Sequence, residues 1–154
     1  MNIYISDHVK RVEQLHHHVF DAEYVALPIR ERLDRQAKQL LAGHRAGDPA
    51  ALVHLRSWFP GRQDQPTWQM SDEALFAIAL TLDDARLTIA REYGFQDWRH
   101  VETEGNVIPD PIFERAVDAV ATGDVDTLSA LLAEHPQLID QRSAYGHRST
   151  LLHY

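Results

Sequence analysis

Histidine carries most of the chemical potential of this 154-residue chain: ten are present, and His16, His17 and His18 are consecutive. On a helix beginning near Asp7, His16 falls on the apolar face, while Glu13, His17 and Asp21 form a polar row spaced i, i+4, i+8. Two carboxylates and an imidazole are ligands for a divalent cation. A single helix face, however, presents them in a line, and a closed coordination sphere needs ligands converging from other elements. A solvated face of ordinary i,i+4 polar pairs accounts for the same pattern. No metal is assigned to Glu13, His17 and Asp21.

The remaining polar groups have simpler uses. Asp83 and Asp84 are adjacent, but neighbouring helical side chains diverge by about 100°, and Asp84 sits three residues after Thr81, the spacing of a capping box. His54 and His135 lie near expected helix C-termini, where the dipole favours imidazolium. The chain has no Gly-x-Ser-x-Gly elbow, no glycine-rich phosphate loop and no His-Glu-x-x-His. No catalytic, cofactor-binding or metal-ligating residue is therefore assigned. Trp58 and Trp98 read as core, and Trp68 as an exposed loop residue.

The elements that would position these groups are helices. Ser6 caps a helix whose apolar face is Val9, Val12, Val19 and Phe20; Leu27-Pro28 opens a second, with Ile29, Leu33, Ala37, Leu40 and Leu41, ending at Gly43 or Gly47. Asp48-Pro49 opens a third that reaches Phe59-Pro60, and the stretch from Gly61 to Gln69 reads as a flexible loop. Ser71 is a further cap, with Met70 and Leu75 placed as a hydrophobic staple. Thr81 precedes a helix with the buried stripe Leu82, Ala85, Ile89 and Tyr93, closed by Gly94 with Phe95 and Trp98 folding back.

Composition sets the class. Hydrophobic residues make up 44% of the chain, enough for a core, and no cysteine is available for disulfides or thiolate sites. The N-terminus lacks a basic, apolar leader pattern and no 18-residue apolar run occurs, so the expected address is cytoplasmic. A net charge of −8 argues against a nucleic-acid or anionic-membrane partner, because phosphate binding needs clustered Lys and Arg. Asp110 to Tyr154 holds seven acids against three arginines, making it the more acidic part.

In that part, Asp110-Pro111 is an N-cap followed by proline at N1, with Ile112, Ala116, Val117 and Val120 at helical spacing. Gly123 can supply a left-handed terminator, and Asp124 caps a helix carrying Val125, Leu128, Leu131 and Leu132 that His135-Pro136 stops. Two short helices joined by Gly-Asp, then Leu138-Ile139, a polar loop and Thr150-Leu-Leu-His153, resemble an ankyrin repeat and the opening of the next. In that family the tetrapeptide is Thr-Pro-Leu-His; Thr150, Leu152 and His153 match and Leu151 departs. The resemblance implies that the Thr150 hydroxyl caps a helix and bonds the His153 ring, that further repeats follow Tyr154, and that the chain is non-catalytic. The stretch from Ala85 to Trp98, with Gln36 to Leu41 and Ala46 to Asp48, resembles the helical leader before ankyrin arrays in some bacterial proteins, which implies no defined activity.

Part of the pattern recurs upstream. Ala46 to Pro60 aligns without gaps on Thr122 to Pro136, pairing the Gly-Asp turn, Leu52 with Leu128, Leu55 with Leu131, and the two prolines; a repeated helix-turn-helix unit gives this pattern, and so do two unrelated hairpins that share capping chemistry. The expected architecture is thus all-α: helical hairpins stacked as an ankyrin-like solenoid over residues 106–154, preceded by a helical N-terminal domain at residues 1–105. The expected function is a non-catalytic scaffold for protein–protein interaction, with no cofactor, contacted through the loop Gln141 to Ser149 and the exposed sides of the helix at 112–121. The alternatives are a helical enzyme or metal-binding domain using the N-terminal histidines, and a purely structural cap.

Overall fold

The computed structural model describes residues 7–16, 23–61 and 66–154. Every regular element among them is helical: α1 (Asp7–His16), α2 (Ile29–Ala46), α3 (Pro49–Trp58), α4 (Asp72–Phe76), α5 (Leu82–Glu92), α6 (Trp98–Glu104), α7 (Pro111–Thr122) and α8 (Val125–Glu134). Short 3-10 turns lie at Tyr24–Ala26, Thr67–Gln69, Pro136–Ile139 and Leu151–His153. Ser6, Val19 and Phe20, expected in the first helix, lie outside the described residues.

The helix boundaries follow local chemistry. Asp48 accepts from the Ala50 N–H, Ser71 from Ala74, Asp97 from His100, Asp110 from Ile112 and Asp124 from Thr127, each satisfying one of the donors that a helix start leaves over. Thr81 and Asp84 form the reciprocal capping box. Gly47 and Gly123 end α2 and α7 with φ of 74° and 71°. Gly43, the other candidate stop, instead lies inside α2 and is buried beneath Leu15 of α1.

Two apolar cores result. The larger gathers Ile29, Leu33, Ala37 and Leu40 of α2, Leu52 and Leu55 of α3, Ala85 and Ile89 of α5, with Leu75, Phe95 and Val101. Here α2 packs on both α3 and α5. The smaller is built from Phe113 and Ala116 of α7, Leu131 of α8, Leu138 and Leu151. Tyr145 belongs to the larger core and Ala144 packs against it.

Two expectations need correction. Trp58 is 42% exposed, because α3 turns its Leu52–Leu55 face inward. Part of the supposed flexible loop is held: Thr67 is buried, its hydroxyl donating to the Phe59 carbonyl at 3.2 Å, while Arg56 donates to the Met70 carbonyl at 2.7 Å. The loop Gln141 to Ser149 exposes Arg142, His147 and Arg148 but is docked along part of its length. Ser143 and Tyr145 are buried, the Ser143 N–H donates to the Ser149 carbonyl at 2.7 Å, and the His147 N–H donates to the Tyr93 carbonyl at 3.3 Å.

That docking depends on two glycines. Gly94 has φ of 80°, and a Cβ there would come within 2.3 Å of the His147 nitrogen; one on Gly146 would come within 2.6 Å of the Gly94 carbonyl carbon. Gly94→Ala should therefore cost about 3 kcal/mol in urea unfolding, from left-handed strain plus steric overlap. Gly47→Ala shares the positive φ but meets nothing within 4 Å, so it should cost about 1 kcal/mol. Equal losses would mean that the 94–146 contact contributes nothing.

Candidate functional site

Histidine does form one relay, though not the one that sequence spacing suggests. His54 of α3 is buried, and its Nδ1–H donates to Glu92 Oε2 of α5 at 2.7 Å. Its Nε2 lies 3.0 Å from Nε2 of buried His16 on α1. A hydrogen bond between two facing imidazole nitrogens needs one to carry the proton and the other the lone pair. Glu–His–His is the order of a general-base relay, but a relay acts on a substrate only where its far end is open. Both rings are 2% exposed, so here the arrangement pins α1 to α3 and α5.

Of the residues in the sequence-derived metal row, His17 and Asp21 lie outside the described residues, as does the Glu13 side chain. Among the described residues, no group of three or more His, Asp or Glu is placed to hold a metal ion. Neither is any helix long and apolar enough to cross a membrane. His100 accepts the Gln96 N–H on Nδ1 and donates from Nε2 to Glu104, which also accepts from Arg148 at 2.8 Å. His153 meets the Thr150 hydroxyl at 2.9 Å. The Thr150 side chain caps no backbone N–H, and the expected helix start is a single 3-10 turn.

A second polar cluster ties the C-terminal loop to the larger core. Arg32 of α2 is buried and donates to the Leu27 carbonyl at 2.9 Å, the Val25 carbonyl at 2.7 Å and the Tyr145 hydroxyl at 3.3 Å, with its guanidinium 5.0 Å from the Tyr24 ring centre. Gln36 donates to the hydroxyls of Tyr24 at 2.8 Å and Tyr93 at 3.0 Å. Burial pushes the Tyr145 phenol up to about 12. It also raises the Glu114 carboxyl on the facing side of α7, against the opposing pull of Arg32. The bonds that Arg32 and Gln36 make here all go to groups of the fold itself. The same holds for Arg86, bonded twice to Asp34 at 2.7 and 2.9 Å and lying over the Trp98 ring.

One open groove among the described residues has an apolar lining. Val120 of α7, Leu128 and Leu132 of α8, Ile139, Leu151, Leu152 and Tyr154 line a groove of about 360 Å³. Leu152 is 90% exposed, Val125 68% and Ile139 53%. The groove arises because α8 turns Leu131 onto Phe113 and Ala116 while Leu128 and Leu132 pack against the same core only in part, which leaves one flank of each open beside the exposed Val125. Single exposed apolar residues are ordinary, whereas a contiguous set marks a docking surface. Of the apolar positions spaced along this hairpin, Leu131 and Leu151 are buried and Leu152 is exposed; which face α8 buries depends on tertiary packing. Searches of protein-family models, of curated proteins and of solved structures found no match to this chain.

Two measurements check the polar clusters. His54→Ala removes both relay bonds and leaves a cavity, so it should cost about 3 kcal/mol, against less than about 1 kcal/mol for His135→Ala at the edge of α8; equal costs would mean that the relay does not hold α1. Because the folded-state Glu114 carboxyl is raised above its unfolded value, its charge is a burden that appears as pH rises through the folded value. Glu114→Gln should therefore raise the urea midpoint at pH 7 and give no gain near pH 4, where the wild-type residue is already protonated. A gain of the same size at both pH values would exclude titration as its origin.

Proposed function

We propose that this chain is a non-catalytic scaffold for protein interaction, with Asp110 to Tyr154 as an ankyrin-type repeat unit and its open apolar groove as the docking element. The groove carries the reading. Six aliphatic side chains and Tyr154 line it, and the Tyr154 hydroxyl is engaged by His147, a composition suited to packing a helix and unsuited to acid–base or nucleophilic chemistry. The hairpin itself supports the repeat assignment, with a left-handed Gly123, the Asp124 cap, the 3-10 turn after Pro136 and the Thr150–His153 bond. The closed Glu92–His54–His16 relay supports the non-catalytic part.

The repeat reading has a direct test. A consensus ankyrin repeat fused after Tyr154, in register with Thr150 to His153, should stack on Leu128, Leu132 and Leu152. Each side chain so covered adds up to about 2 kcal/mol, so the melting temperature should rise by about 5 °C or more, and the Leu151 and Leu152 amides should gain protection from exchange. An unchanged melting temperature with the fused repeat independently folded would rule out a repeat-type stacking face.

A further inference from the structure

We infer that the docking of α1 is acid-sensitive: the facing rings of His16 and His54 hold the helix near neutral pH and release it as the pH falls below about 6.5, the ordinary value of an imidazole. His54 spends Nδ1 on Glu92 Oε2 at 2.7 Å, and the Nε2 atoms of the two rings lie 3.0 Å apart. The line between those Nε2 atoms has room for one proton, because a second N–H would set donor against donor. Of four ring nitrogens, the docked pair therefore protonates at most three, whereas a released pair in water protonates all four at low pH. Both rings are 2% exposed, and they cross at 73° with centroids 5.0 Å apart, so neither reaches water while α1 is docked. A released state that binds one proton more is favoured about tenfold for each pH unit below the imidazole value. Docking is thus at full strength above about pH 6.5 and weakens progressively below it.

Little else in the described part of α1 holds it. Of its described side chains only Leu15 and His16 are buried; Leu15 lies over Gly43 of α2, and Lys10 and Arg11 are exposed. On the helices packed around the pair, Arg45 of α2, Asp72 and Glu73 of α4 and Arg91 of α5 are exposed, and Arg35 of α2 is half-buried. Arg56 of α3 donates to the Met70 carbonyl and to Asp72, and Asp34 of α2 pairs with Lys38 and Arg86. The remaining charges of α2 and α5 lie toward their first turns, away from Gly43 and Glu92. His44 of α2 is the other buried imidazole among the described residues, with Nε2 3.0 Å from the Leu75 carbonyl. A carbonyl only accepts, so His44 Nε2 donates whether its ring is neutral or charged, and protonation there removes no bond.

Hydrogen exchange on the full chain tests the release. Between pH 7.5 and 5.5 the protection factors of the Val12 to His16 amides should fall about tenfold, while those of Ile89 and Ala90 in α5 hold. The double change His16→Leu, His54→Leu puts apolar side chains of similar size in both places and leaves His44 intact; its α1 protection should be the same at both pH values. Unchanged protection of α1 in the wild-type chain would overturn the inference, as would a fall that persists in the double variant. A parallel fall in α5 would also overturn it, because the whole fold would then be titrating. The ring nitrogens of His54, followed by NMR, give a decision with no substitution. Nε2 should take up a proton only in step with the loss of α1 protection, and a His54 protonated on Nε2 with α1 still protected would overturn the proposal.

Discussion

A buried guanidinium sets the terms for much of this structure. Arg32 cannot shed its proton, and its five N–H donors must be satisfied wherever it is placed. Withdrawn from water on α2, it takes the Val25 and Leu27 carbonyls, the Tyr145 hydroxyl and the Tyr24 ring. An uncompensated buried charge costs several kcal/mol, so each of these groups has to stay. The carbonyls fold the segment before α2 back on itself, and Tyr145 draws the C-terminal loop across to the larger core. Once Tyr145 is fixed, the Leu151–His153 turn is held close to α7 and can form one wall of the groove.

The parts of the fold legible in the sequence are those set by neighbours in the chain. Asp48, Ser71, Thr81 with Asp84, Asp110 and Asp124 cap where their spacing to the following apolar residues says they should, because a cap bonds two or three residues ahead. Gly94 and Gly123 stop helices for an equally local reason, the positive φ that L side chains resist. The illegible parts are pairings across long stretches. His16 and His54 are 38 residues apart, as are His54 and Glu92, and Arg32 and Tyr145 are 113 apart. No periodicity encodes such contacts. The same limit explains Trp58, which was expected in the core although α3 buries its other face.

The groove was half legible. Val125, Leu128 and Leu132 were recognised as apolar positions of an α8-like helix, yet a helix with apolar residues over a wide arc does not announce which part of the arc faces the core. The hairpin α2–α3 shows the other outcome. It shares the Gly-Asp turn and leucine spacing of α7–α8, and its Leu52 and Leu55 are both buried because α5 and α1 cover it. In α7–α8 the corresponding Leu131 is buried and Leu128 only partly. Identical local chemistry thus yields a finished core in one place and an open face in the other, and the difference lies wholly in what packs next to it.

The meeting of Gly94 and Gly146 also bears on the order in which the molecule assembles. Joining these two backbones closes a long stretch of chain, and loop-closure entropy must be spent before the contact returns anything. The surface that receives Gly146 exists only after α5 has formed and ended in its left-handed turn. The C-terminal loop therefore has no docking surface until α5 and its terminating turn are in place. The wall of the groove formed by Leu151 and Leu152 is, on this account, the youngest surface of the fold.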